Sequence, residues 1–130
     1  IPQTCFRIED GVRLFDISNN SISTHLQRLV EVCNTEKDCD ITITRNQFGA
    51  SLGVVQLSKG AKVKNLKFCD NAGMHDVKIT VLPSLGNNVA DSYIGNLYVK
   101  GNKFKSMKIS AGWEYKTLLK GKSIIRNNHF

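Results

Sequence analysis

The sequence predicts an all-β chain wound as a solenoid, a coil of about five rungs. Three observations predict it. An asparagine recurs at a fixed phase behind two alternating apolar residues, and a second alternating run follows each asparagine within several residues. β-Branched residues are plentiful, and only two prolines, Pro2 and Pro83, interrupt the chain. Branched side chains suit strands, and self-similarity at about 20–50 residues marks stacked repeat units.

Residues 1–11, Ile1 to Gly11, read as a lead-in: a cap or a partial rung. Residues 12–130 carry the repeat. Its five copies are Phe15-Asp16-Ile17-Ser18-Asn19-Asn20-Ser21-Ile22, Ile41-Thr42-Ile43-Thr44-Arg45-Asn46-Gln47-Phe48, Leu66-Lys67-Phe68-Cys69-Asp70-Asn71-Ala72-Gly73, Leu97-Tyr98-Val99-Lys100-Gly101-Asn102-Lys103-Phe104 and Ser123-Ile124-Ile125-Arg126-Asn127-Asn128-His129-Phe130. Successive asparagines lie 26, 25, 31 and 26 residues apart. The apolar period of two before each asparagine predicts a strand. Second strands are expected at Leu29-Val30-Glu31-Val32, Val54-Val55-Gln56-Leu57, Val77 to Val81 and Met107-Lys108-Ile109. The long third step places a loop insertion near residues 82–93, where Pro83, Gly86, Asn87 and Asn88 cluster.

Each asparagine has two expected tasks. It tolerates the left-handed backbone of a bend better than most residues do. Its amide can also bond the amide one rung away, which satisfies polar groups that are costly to bury. The apolar positions five and three residues earlier then stack into a shared core, which one rung alone cannot close.

The motif apolar-x-apolar-x-x-Asn-x-Phe resembles the repeat of right-handed parallel β-helix proteins. That is the pectate-lyase-like superfamily, and the closest likeness is to a bacteriophage tailspike β-helix segment. The resemblance spans about residues 12–130 and implies an all-β, right-handed parallel β-helix. It also implies a homotrimer, a virion or extracellular surface location, and a polysaccharide as partner. A β-sandwich or jelly roll also shows short strands at regular spacing, but has no reason to hold asparagine at one phase. The last copy stops at Phe130, an inward position, so the coil is expected to continue in a longer chain or to meet a partner chain.

Charge and cysteine usage bound the function. The net charge of +7 is uneven: residues 1–65 hold eight Lys/Arg against seven Asp/Glu, and residues 66–130 hold ten against four. The basic half points to an anionic partner, or else to a solvated lysine face that keeps sheets apart. An acidic polysaccharide is the expected partner. Nucleic acid ranks below it, since no recognition motif appears. A spanning helix needs about 20 apolar residues and none is present, so no membrane partner is expected. Cys5, Cys33, Cys39 and Cys69 form no CxxC pair and His25, His75 and His129 add no metal-ligand spacing, so no metal or cofactor is expected. Cys33 and Cys39 flank a loop short enough for a disulfide to close, but the favoured reading is buried or half-buried free thiols, since cysteine is among the most buried residue types.

Outward positions should stack in columns: Asp16, Thr42, Lys67, Tyr98, Ile124 and, beside it, Ser18, Thr44, Cys69, Lys100, Arg126. The second becomes basic toward its end. The candidate binding residues are Trp113, Glu114, Tyr115, Lys100, Lys105, Arg126 and Tyr98, with aromatic rings for sugar faces and cations for anionic groups. The competing reading for Trp113 is a core cap. A polysaccharide lyase, glycoside hydrolase or epimerase is the alternative, yet hydrolysis needs two carboxylates about 5–9.5 Å apart. No spacing links Asp70, Asp91 and Glu114. A structural, oligomerising spacer without a ligand is the third reading.

Overall fold

The computed structural model describes residues 4–23, 28–58, 60–80, 82–83, 92–110 and 121–129. Along the chain the strands are β1 (Thr4–Ile8), β2 (Leu14–Ser18), β3 (Ser21–Ile22), β4 (Arg28–Val32) and β5 (Cys39–Thr44). Next come β6 (Gln47–Phe48), β7 (Leu52–Gly53), β8 (Val55–Leu57), β9 (Lys62–Cys69) and β10 (Ala72–Gly73). The remainder are β11 (Asp76–Thr80), β12 (Leu82–Pro83), β13 (Tyr93–Lys100), β14 (Ser106–Ser110) and β15 (Ser123–Arg126). No helix occurs among the described residues.

The strands stack into four sheets: a five-stranded one ordered β15-β13-β9-β5-β2, a four-stranded one ordered β1-β4-β8-β12, and two of three strands, β10-β6-β3 and β14-β11-β7. All the pairings are parallel. A sandwich of antiparallel sheets is thereby excluded, and the chain is a parallel β-solenoid. Five strands in the largest sheet bound about four complete turns.

Each rung has more sides than the sequence pattern implies. The runs beginning at Leu29 and Val54 lie in the four-stranded sheet, whereas those beginning at Val77 and Met107 lie in the sheet of β7, β11 and β14. They are two different sides, not one. A side only two or three residues long, such as β7 or β8, shows too little alternation to announce its own corner.

Inside, the register builds columns. Phe15, Ile41, Leu66 and Leu97 align across the five-stranded sheet, as do Ile17, Ile43, Phe68 and Val99. Ile41, Ile43, Leu66, Phe68 and Val99 are fully buried. Phe68 stacks against Phe48 and Phe104 with ring centroids 6.3 and 6.0 Å away. Gly73 makes this possible: a Cβ there would come within 2.6 Å of the Phe48 carbonyl and 2.9 Å of the Phe104 ring. The rung that supplies a large Phe68 thus supplies no side chain at the facing corner.

The five asparagines do form one file. Asn20, Asn46, Asn71 and Asn102 each donate from Nδ2 to the Oδ1 of the next, at 3.2, 3.0, 3.2 and 2.9 Å, ending on Asn128. Their backbone N–H groups donate to the same oxygens at 2.9–3.1 Å. The second Nδ2 proton of Asn46, Asn71, Asn102 and Asn128 goes back to the carbonyl of Ile17, Ile43, Phe68 and Val99. Asn46, Asn71 and Asn102 are at most 2% exposed, so these bonds replace the water that burial removes.

The left-handed backbone sits one residue earlier than expected. Asn19, Arg45, Asp70, Gly101 and Asn127 have φ between 55° and 68°, and the ladder asparagines are not among the positive-φ residues. The corner turns at the preceding residue, and the asparagine then follows with its amide held along the axis. Arginine and aspartate accept this conformation at a cost of about 1–2 kcal/mol each relative to glycine.

Asn71→Ala removes an oxygen that takes two donors and leaves the Asn46 backbone N–H and one of its Nδ2 protons unpaired. Buried unpaired groups cost about 1–3 kcal/mol each, so urea unfolding should show a loss of roughly 2–5 kcal/mol. Gln47→Ala, on an exposed position of the adjoining strand, should stay within about 0.5 kcal/mol of the parent. Equal stability of the two variants would contradict the ladder.

Candidate functional site

The outer face of the five-stranded sheet carries three columns, because successive residues of a strand point to opposite faces. Both expected columns are present. Asp16, Thr42, Lys67, Tyr98 and Ile124 are register partners in turn, and so are Ser18, Thr44, Cys69, Lys100 and Arg126. The third column is Leu14, Asp40, Asn65, Asn96 and, one residue before β15, Lys122.

That third column holds a second amide ladder which the repeat search missed. Asn65 Nδ2 donates to Asp40 Oδ1 at 2.8 Å, Asn96 Nδ2 donates to Asn65 Oδ1 at 2.9 Å, and Lys122 N–H donates to Asn96 Oδ1 at 2.9 Å. Its signal was legible, since Asp40, Asn65 and Asn96 each stand six residues before a ladder asparagine. The first ladder is buried at Asn46, Asn71 and Asn102 and bonds rung to rung. The second is half-exposed, and each of its asparagines retains hydrogen-bonding capacity toward solvent.

Tyr98 is the centre of the face. The Nζ atoms of Lys67 and Lys100 lie 5.7 and 6.0 Å from its ring centroid, within cation–π range. Arg126 is in register with Lys100 one rung on, about 4.8 Å along the axis. Tyr98, Lys100 and Arg126 are therefore brought together as expected. Lys105 is not with them: it lies past the Asn102 corner, where its N–H donates to the His75 carbonyl at 3.2 Å. Trp113, Glu114 and Tyr115 lie outside the described residues, as does most of the expected 82–93 loop. Tyr93 opens the same strand as Tyr98 and donates its hydroxyl to Asp38 Oδ2 at 3.1 Å. Burial, then the Asp38 carboxylate, push the Tyr93 phenol above its ordinary pKa.

Among the described residues the cations of this half are without ion pairs. Among the described residues ion pairs join Arg7 to Glu9 at 2.7 Å and Arg28 to Glu31 at 3.9 Å. Both lie at the N-terminal end. None of the described Lys or Arg side chains from Lys67 to Arg126 pairs with a described acid. Lys100 and Arg126 are like charges directly opposite on neighbouring strands, an arrangement that by itself destabilises a sheet.

The other chemical candidates resolve as follows. Among the described residues no three His, Cys, Asp or Glu side chains gather to share a metal ion. All four cysteines are free thiols, so Cys33 and Cys39 are not joined. Cys33 Sγ instead lies 3.2 Å from Ser58 Oγ. Asp70 sits at an exposed left-handed corner position, while Asp91 and Glu114 lie outside the described residues. Cys69, in the basic column, has its thiol pKa raised by burial, partly offset by Lys100.

Burial drives the Cys39 thiol up to about 11. The folded state thus keeps a proton that the unfolded chain releases above about pH 8.5. The stabilisation is complete below that pH and is lost as pH rises through about 11. Urea midpoints should therefore fall between pH 8 and pH 11 more steeply for the parent than for Cys39→Val. Parallel curves would show that Cys39 does not couple to folding.

Comparison with known protein families, with curated proteins and with solved structures finds no match for this chain. The parallel β-solenoid rests on its own geometry, and no relative supports a pectate-lyase-like or tailspike assignment.

Proposed function

We propose that the C-terminal rungs bind an acidic polysaccharide on the outer face of the five-stranded sheet. The observation that carries this reading is the setting of Tyr98: a half-exposed ring flanked by two ammonium groups, with Arg126 one rung away. The ring offers an apolar face to a sugar, and the cations meet its carboxylate or sulfate groups. Asn65 and Asn96 supply amides to its hydroxyls. The described cations of this half form no ion pairs, and an unneutralised basic field raises both capture rate and affinity for a polyanion. In this reading the chain is a rung-built segment of a tailspike-like surface protein, on a virion or cell exterior, and the repeat's likeness makes a homotrimer the expected assembly.

Binding should be sought on an array of acidic and neutral glycans at low salt, followed by calorimetry. Lys100→Ala with Arg126→Ala should weaken binding at least tenfold and flatten its dependence on salt, because screened charge contacts have been removed. Tyr98→Ala should weaken binding with the salt dependence retained. Unchanged affinity in the double variant removes this face from the account. Binding to no glycan leaves a structural spacer. Release of an unsaturated sugar end would mark a lyase, and of new reducing ends without unsaturation a hydrolase.

A further inference from the structure

We infer that the bound polysaccharide lies transverse to the solenoid axis, along the fourth rung, and that the site continues round the asparagine corner onto the two neighbouring sheets. This rests on the reading of the Tyr98 face as an acidic-polysaccharide site and assigns it a second half.

The argument starts from which residues of the rung point outward. From Leu97 to Lys108 the inward positions are Leu97, Val99, Asn102, Phe104 and Met107, all buried or packed against the core. Apart from Gly101 and Ser106, the outward ones are Tyr98, Lys100, Lys103, Lys105 and Lys108. Strand alternation therefore writes one aromatic and four cations in succession along a single rung. The path from Tyr98 to Lys108 covers ten residue steps, roughly 30 Å of contour at about 3.3 Å per residue.

The neighbouring rungs reinforce the band. Lys100 is in register with Arg126, Lys103 bridges to His129, Lys105 abuts His75, and Lys78 is directly opposite Lys108. Two described acids enter it. Asp70 lies beside Gly101, and Asp76 accepts the Ser106 hydroxyl at 2.6 Å. Neither forms an ion pair with a described lysine. Two rungs earlier the counterparts of Tyr98, Lys100, Lys103 and Lys108 are Thr42, Thr44, Gln47 and Gly53, which carry no charge. The exposed cation of that stretch is Arg45 at the corner, donating to Asn19. Charge is therefore concentrated along the fourth rung and not spread evenly down the axis, so an axial chain would leave the cationic rungs after two steps. A chain laid along the fourth rung meets Tyr98 and then Lys100, Lys103, Lys105 and Lys108 in turn.

The test compares ligand lengths. Size-graded heparin and polygalacturonate oligomers, a tetramer and a chain of at least ten sugars, are titrated into the parent and into Lys103→Ala/Lys105→Ala/Lys108→Ala. The three positions are on the surface or beside it, and an unchanged urea midpoint confirms an intact fold. The triple variant should lose at least tenfold affinity for the long chain and keep the parent's affinity for the tetramer, which fills only the Tyr98 cluster. Equal long-chain affinity in parent and triple variant, with Lys100→Ala/Arg126→Ala still weakened, overturns the transverse track and leaves the Tyr98 site standing. No binding of either polymer to the parent defeats both. Tighter binding of oligodeoxythymidine of matched length than of any polysaccharide overturns the ligand class.

Discussion

One hydrogen-bonding unit organises this molecule: a buried asparagine whose Oδ1 takes both the N–H and an Nδ2 proton of the asparagine one rung before it. Its own second Nδ2 proton returns to that earlier rung's carbonyl. Every link points the same way along the axis, so each rung both receives from one neighbour and gives to the other. A buried amide with fewer partners would be a liability of the order of kilocalories. Fully bonded, it becomes a device that admits one register and rejects a slip of a single residue, which would turn every inward side chain outward.

Register is what links this ladder to the outer face. With the asparagines in file, the strand residues before them fall into columns without further instruction. Tyr98 must then lie between Lys67 and Ile124, and Lys100 between Cys69 and Arg126. The charges gather on one half because the sequence of that half is basic, but their face and spacing are set by the ladder. Packing obeys the same frame. Gly73 occupies the corner column otherwise filled by Phe48 and Phe104, and the space goes to Phe68.

Much of this was legible in the residues. The phase of Asn20, Asn46, Asn71, Asn102 and Asn128 announced the coil, and the two columns read from it hold in the structure. The left-handed corner was legible only in part, since Asn19, Gly101 and Asn127 fit that role while Arg45 and Asp70 hide it. The extra corners were not legible: β3, β6, β7 and β10 are two residues long, and a single alternation has no period. The second ladder was overlooked because Asp40 breaks its run of asparagines, although an aspartate oxygen accepts from Asn65 as an amide oxygen does. For the site, Tyr98, Lys100 and Arg126 were found by register. Lys105 reads as part of the turn that follows Asn102, and it lies there, past the corner from Tyr98 and Lys100.

The most direct test of the ladder is hydrogen exchange of the asparagine side-chain amides, followed by NMR. The Nδ2 protons of Asn46, Asn71 and Asn102 should exchange as slowly as the backbone amides of Ile43 and Phe68, opening only with the rungs themselves. Exchange as fast as that of the exposed Asn19 amide would mean that these side chains are not bonded in a file, and the register built on them would have no support.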